Sequence, residues 1–338
     1  PNALKNRKNM IYLRRILEVK MEIVKPFVKW AGGKSSLITQ ITKYFPLELK
    51  NNQIEKYVEP FVGGGAVLID ILQKYDIKQA YAFDINKDLI NCYNVIKYKV
   101  EDLIQKLDKK EKEFLPLRIY ERQKCFYNIR TKYNSYFLNT ELDVERASEF
   151  IFLNRTCFNG LYRVNKSGKF NVPFGKYKNP TICDSRNLRN LSTLFKNTIF
   201  KYGDYKESES LIDKNTFVYF DPPYRPLSVT SGFTSYTKED FNDENQKELA
   251  KYYNKLNVKN AKLMLSNSNP KNTDENDDFF ENIYKGFNIN EVSAKRMINS
   301  NAKGRGEISE LLITNYKEQL EWNSQTNFII QMKQEALA

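Results

Sequence analysis

An α/β fold with a doubly wound sheet is the class this sequence predicts, and three observations predict it. From Lys56 the chain reads strand, glycine-rich turn, helix, strand; a second buried-looking run, Thr216–Phe220, is cut short by two prolines; and strand-like and helical runs alternate through the second half. With 338 residues, 41% of them hydrophobic, the chain can bury one large core or two smaller ones.

The opening unit is Lys56–Glu59 as strand, Gly63, Gly64 and Gly65 as turn, Ala66–Lys74 as helix and Gln79–Asp84 as the next strand. Residues 87–99 read as a helix, and the segment from there to about 152 as helical, polar and basic, broken at Pro116, with the look of an insertion. Residues 154–180 are rich in Gly, Asn, Pro and aromatics, which predicts an ordered loop with a short hairpin at 166–169. After Thr216–Phe220 an amphipathic helix is expected over Asp243–Asn257, and strands at 262–266, 288–293 and 310–315 close the sheet.

The formal charge of +13 is unevenly placed. Residues 118–206 hold 17 basic against 7 acidic side chains, and residues 1–20 hold 6 against 1. A basic central segment carrying Tyr, Phe and Asn is the footprint of a surface that meets phosphates and bases, although a solvated charged face would count the same. The chain has no histidine, which removes Ser-His and Cys-His nucleophile pairs and the commonest metal ligand. Cys92, Cys125, Cys157 and Cys183 lack any C-x-x-C spacing, so neither a zinc site nor a disulfide scaffold is expected. No run approaches the roughly 18 apolar residues of a membrane span and no signal peptide pattern opens the chain, so a cytoplasmic protein is expected.

The chemistry concentrates in Asp221-Pro222-Pro223-Tyr224. A carboxylate at the carboxyl end of a strand, a rigid turn that presents carbonyl acceptors, and an aromatic ring suit a planar amine held between acceptors and stacked on the ring. A structural proline turn beside a core aromatic is the alternative reading. Gly33-Lys34-Ser35 invites comparison with a phosphate loop, but Val28 stands where that motif needs glycine. What remains is an aromatic, two glycines and a cation, fit to fold over a ligand bearing a carboxylate and a flat ring. Glycines 63–65 lie where the first strand meets the first helix, the ligand-binding position of doubly wound sheets, and Asp84 ends the next strand, where it could accept ribose hydroxyls or cap the helix after it.

These pieces, in this order, resemble the Dam-type DNA adenine methyltransferases, the alpha group of amino methyltransferases. The resemblance rests on residues 29–34 (KWAGGK), 59–65 (EPFVGGG), 84–86 (DIN), 154–155 (NR), 158–163 (FNGLYR), 170–175 (FNVPFG) and 221–224 (DPPY), with a closing motif in 296–316. It implies a Rossmann-like sheet, in residues 21–98 and 199–320, that binds S-adenosylmethionine. It also implies an inserted target-recognition domain at 99–198 with its DNA-binding loop at 154–180, between a basic extension (1–20) and a tail (321–338).

By the same resemblance Trp30, Lys34, Phe61, Gly63, Asp84, Asp204 and Asp221 contact or line the cofactor pocket, and Asp221, Pro222 and Tyr224 are catalytic. Arg163 reads a guanine, Leu161 and Pro173 lie near a thymine methyl, Phe158 wedges into the opened duplex, and Asn159, Lys176 and Tyr177 are further DNA contacts. The implied reaction is direct methyl transfer to the amino nitrogen of an extruded adenine, within GATC and without a metal. The expected partner is double-stranded DNA, with a separately acting restriction endonuclease as a possible companion, and the expected state is a monomer or weak dimer. An amino methyltransferase for cytosine or RNA, or a regulator that binds DNA without turnover, stays open on the residues alone.

Overall fold

The computed structural model describes residues 23–138, 142–226, 241–294 and 308–317. The basic extension, the C-terminal tail and the 296–305 part of the closing motif lie outside these residues. Seven strands form one sheet: β1 (Lys56–Glu59), β2 (Gln79–Asp84), β3 (Thr198–Tyr202), β4 (Thr216–Phe220), β5 (Lys262–Ser268), β6 (Asn288–Ala294) and β7 (Ile308–Thr314), in the order β3-β2-β1-β4-β5-β7-β6. The pairings from β3 through to β5 are parallel, with Lys56 opposite both Gln79 and Thr216. Strand β7 runs antiparallel between β5 and β6.

Alternation along the strands sends side chains to two cores. Tyr57, Phe217, Tyr219 and Met264 face one, and Val58, Val218, Phe220, Leu263 and Leu265 face the other. With both faces covered, β4 reads as an unbroken apolar run and all five of its residues are buried. The prolines at 222 and 223 end it because they offer no N–H to the ladder.

The helices are α1 (Ile38–Ile41), α2 (Leu47–Lys50), α3 (Ala66–Lys74), α4 (Lys87–Tyr98), α5 (Val100–Phe114), α6 (Ile119–Ser135), α7 (Val144–Thr156), α8 (Ser185–Leu194), α9 (Asp243–Asn257) and α10 (Phe279–Ile283). Helices α5 to α8 stand between β2 and β3 in the chain, and Leu103, Leu107, Phe114, Phe126 and Phe152 from them join the same core as Tyr57 and Phe217. Arg146 on α7 grips Asp88 on α4 with two hydrogen bonds of 2.7 and 2.8 Å, fixing these helices to the turn that follows β2. No helix among the described residues is long and apolar enough to cross a membrane.

Candidate active site

The strand order reverses between β1 and β4, so the carboxyl ends of these two neighbours open the crevice in which doubly wound sheets bind ligands. The glycine loop 60–65 leaves β1 there, and Asp221-Pro222-Pro223-Tyr224 leaves β4. Asp84 ends β2 one strand further out, and Asp204 follows β3 beyond it. Four consecutive strand ends therefore line up the residues the sequence singled out.

Lys34 enters this row from the N-terminal side. Its buried ammonium donates to the Gly32 carbonyl at 2.7 Å, lies 2.7 Å from Asp221 Oδ1 and sits 4.5 Å from the centre of the Tyr224 ring. Trp30 packs onto the glycine loop: a Cβ on Gly63, whose φ is +46°, would lie 2.9 Å from the indole. Only glycine allows both that backbone and that approach. The indole also stacks on Tyr162, with ring centres 5.6 Å apart and planes 17° apart. Phe61 stacks on Tyr205 at 5.3 Å.

Asp84 is held by the backbone: Oδ2 accepts from Gly63 N–H at 3.0 Å and Oδ1 from Asn86 N–H at 2.8 Å. Asn86, not Asp84, caps α4 by accepting from Leu89 N–H. Burial raises the Asp84 carboxyl to about 6 despite these two bonds. Asp221 is also raised to about 6, by burial first and Glu310 second, against the pull of the Lys34 cation. Asp204 is exposed and spends its carboxylate capping the turn at 205–211, accepting from Lys206 N–H at 2.9 Å.

The turn after β4 is clamped from behind. Gln246 on α9 donates to the Pro223 carbonyl at 3.0 Å, Asn267 accepts from Arg225 N–H at 3.1 Å, and the two amides bond to each other at 3.1 Å. The Tyr224 hydroxyl donates to Glu310 on β7 at 2.5 Å.

Residues 156–175 fold back on themselves as a short irregular ribbon. Bridges join Cys157 to Phe174 and Val164 to Phe170, Phe158 N–H donates to the Pro173 carbonyl at 2.8 Å, and Asn165 N–H to the Lys169 carbonyl at 2.9 Å. Phe158, Asn159, Arg163, Pro173 and Lys176 are exposed along it, while Leu161 and Tyr177 are half-buried. Phe158 shows 51% of its surface at the end of the ribbon that joins α7, beside Asn159 in the left-handed region at φ +55°. Arg163 is aimed by Asn171, which accepts from its Nε at 2.8 Å.

A family model for the D12 class of N6 adenine-specific DNA methyltransferases matches residues 30–298. The chain belongs to this family. It is 53% identical over 294 residues to type II methyltransferase M.MjaIII of Methanocaldococcus jannaschii, spanning 87% of this chain and 99% of that protein. It is 36% identical to type II methyltransferase M1.LlaDCHI of Lactococcus lactis subsp. cremoris, over 87% of this chain and 96% of the other. With the DNA adenine methylase of Escherichia coli strain K12 it shares 33% identity over 85% of this chain and 93% of that one. The protein is thus an adenine-specific DNA methyltransferase.

In this adenine methyltransferase the ribbon and the segment that leads to Lys34 are physically joined, a link that composition could not reveal. Buried Asn154 donates to the carbonyls of Lys29 and Gly160 and accepts from Lys29 N–H, each at 2.9 Å. Gly160, at φ +62°, leaves room for the Lys29 side chain, whose ammonium lies 4.7 Å above the Tyr177 ring. The segment that carries Trp30 and Lys34 is therefore seated on the ribbon. Lys29, Glu59, Asn171, Gln246, Asn267 and Glu310 received no individual role from the sequence. Glu59 ends β1 buried, bonded to Tyr57 at 2.6 Å, with its carboxyl well above the ordinary range through burial. Its sequence signals were its place at the head of the 59–65 motif and a charge at the end of an apolar strand.

Proposed function

We propose that the enzyme methylates the adenine of GATC, with Asp221, Pro222 and Tyr224 acting on an extruded base and the Arg163 ribbon reading its neighbours. The observation that carries this reading is the meeting of Asp221, Tyr224 and Lys34 at the end of β4, next to the glycine loop of β1. The residues fit S-adenosylmethionine: a carboxylate at Asp84 held by two backbone bonds with lone pairs to spare for a diol, glycines 63–65 beside it, and the aromatic rings of Trp30 and Phe61. Lys34 and Asp204 complete the set. When bound, that cofactor supplies an electrophilic methyl group on a sulfonium.

The Asp221 carboxylate and the Pro222 carbonyl accept the two amino hydrogens of adenine, which aims the nitrogen lone pair at the methyl. Tyr224 stacks the base. Once methylated, the nitrogen is cationic and acidic, and a carboxylate that titrates near 6 can take its surplus proton. No histidine is needed. On the ribbon, Arg163 pairs with a guanine while Leu161 and Pro173 meet a thymine methyl and Phe158 fills the gap left by the base. Asn159, Lys176 and Tyr177 add contacts along the backbone.

Residues 99–198 serve as the recognition segment in this scheme, flanked by the two parts of the sheet. Two relatives bear type II names, which favours a cognate endonuclease acting separately over a solitary role. The protein works on double-stranded DNA in the cytoplasm, as a monomer or weak dimer. The test is transfer of tritiated methyl groups to plasmid, nucleoside digestion of the product, and cleavage by GATC enzymes of differing methyl sensitivity. Activity near wild type in Asp221→Ala, or protection confined to another sequence, would overturn it.

A further inference from the structure

Glu310 lies on β7 opposite Ser268 of β5, on the strand that runs antiparallel through the closing part of the sheet. Its Oε2 accepts the Tyr224 hydroxyl at 2.5 Å. The next residue along, Arg225, is tied to the same strand pair, since Ser268 Oγ donates to its carbonyl at 2.8 Å and Asn267 accepts from its N–H. The ring is thus held at its hydroxyl, at the backbone beyond it, and across one face by Lys34.

Burial and the carboxylates of Asp221 and Glu310 hold the Tyr224 phenol well above its ordinary value, so the hydroxyl keeps its proton and acts as donor. A bond from a neutral donor to a carboxylate is short and stronger than one between neutral groups.

We propose that Glu310 is a positioning residue for methyl transfer, fixing the plane of Tyr224 before the target base arrives. The inference rests on the reading that Tyr224 stacks the extruded adenine. A stacking ring sets where the base comes to rest, and so where its amino group meets Asp221. A ring left to rotate must be ordered by the base itself, which costs rate when the reacting atoms have to be placed within a fraction of an ångström. The carboxylate also enriches the ring through its hydroxyl, which suits a face that meets Lys34 on one encounter and a base acquiring positive charge on the next.

The test uses the full chain and duplex DNA, with single-turnover methyl transfer for wild type, Tyr224→Phe, Glu310→Ala, Glu310→Gln and the double variant Tyr224→Phe/Glu310→Ala. Glu310→Ala should slow transfer about ten- to hundredfold, the effect of losing a bond to a charged group, with S-adenosylmethionine affinity and thermal midpoint little changed. Glu310→Gln, which still accepts a bond, should recover part of that rate. The double variant should be no slower than the slower single variant, because both changes remove one interaction. Losses that multiply, or a Glu310→Ala enzyme that melts early yet transfers at the normal rate, would overturn the inference. Tyr224→Ala at the wild-type rate would instead overturn the stacking reading beneath it.

Discussion

The Lys34 ammonium lies 2.7 Å from Asp221 Oδ1, so the glycine-rich segment near the start of the chain and the proline turn after β4 share one ion pair. With only 4% of the Lys34 side chain and 20% of Asp221 exposed, water does little to screen it. Lys34 is the charge that lowers the Asp221 carboxyl against the upward push of burial. Lys34→Met should let that carboxyl climb beyond about 6, leaving less carboxylate at neutral pH to accept the amino hydrogens of adenine. The expected result is an acid limb displaced to higher pH and a rate at pH 7 down by about tenfold or more. Rate profiles of the two enzymes check it; superimposable limbs would mean that the ion pair does not tune Asp221.

Wild type should show its own acid limb near 6, the value to which both Asp221 and Asp84 are raised. The sign for stability is opposite to that for activity. A carboxyl raised in the folded state binds more protons there than in the unfolded chain between its ordinary value and about 6, so these two groups make the fold less stable as pH rises through that interval. Acidifying from about 7 towards 5 should therefore cost activity while these two groups add stability. Methyl-transfer rates and thermal melts over the same buffers separate the two; a melting point that falls in step with rate would assign the acid loss to unfolding.

The elements that carry the site were legible because their boundaries are chemical. Glycines 63–65 and the prolines after Phe220 punctuate β1, α3 and β4, and Asp84 ends an apolar alternation, so Lys56–Glu59, Ala66–Lys74, Gln79–Asp84 and Thr216–Phe220 all stand where the pattern placed them. The insertion of β7 between β5 and β6 was not legible: three half-polar strands of similar length carry no mark of which one enters the middle. Nor were the partnerships that cross the chain. The bonds from Tyr224 to Glu310 and from Asn154 to Lys29 join residues 86 and 125 positions apart, and nothing in the local pattern of either partner names the other.

Asn154 tests whether the ribbon and the segment that carries Trp30 and Lys34 act as one body. Alanine there would leave the buried Gly160 carbonyl and the half-buried N–H and carbonyl of Lys29 without their partner. A loss of about 2–4 kcal/mol of folding stability is expected, from several buried and half-buried polar groups left unpaired at once. Denaturant titration measures it. Affinities for duplex and for S-adenosylmethionine should both weaken, since the ribbon and the segment that carries Trp30 and Lys34 lose the bonds that join them. Stability lost with both affinities unchanged would mean that Asn154 serves general packing only.

Asn171 offers the sharpest test of the proposed reading of a base by Arg163, because it bonds to that arginine at both side chain and backbone. Its amide oxygen takes the Arg163 Nε, and its own N–H bonds to the Arg163 carbonyl at 3.1 Å, so one residue fixes both ends of the arginine. The guanidinium is left to present its two terminal nitrogens in the plane that a guanine edge requires. Arg163→Ala should cost about 1–3 kcal/mol of discrimination at one base pair. Asn171→Ala keeps the charge and loses the aim, so it should relax discrimination at that same base pair by a smaller amount while the salt dependence of binding stays put. Methylation of duplexes substituted one position at a time, with binding followed across a salt series, reads both quantities. If Arg163→Ala flattens the salt slope and weakens every sequence alike, Arg163 is a phosphate contact and Asn171 merely holds it near the backbone.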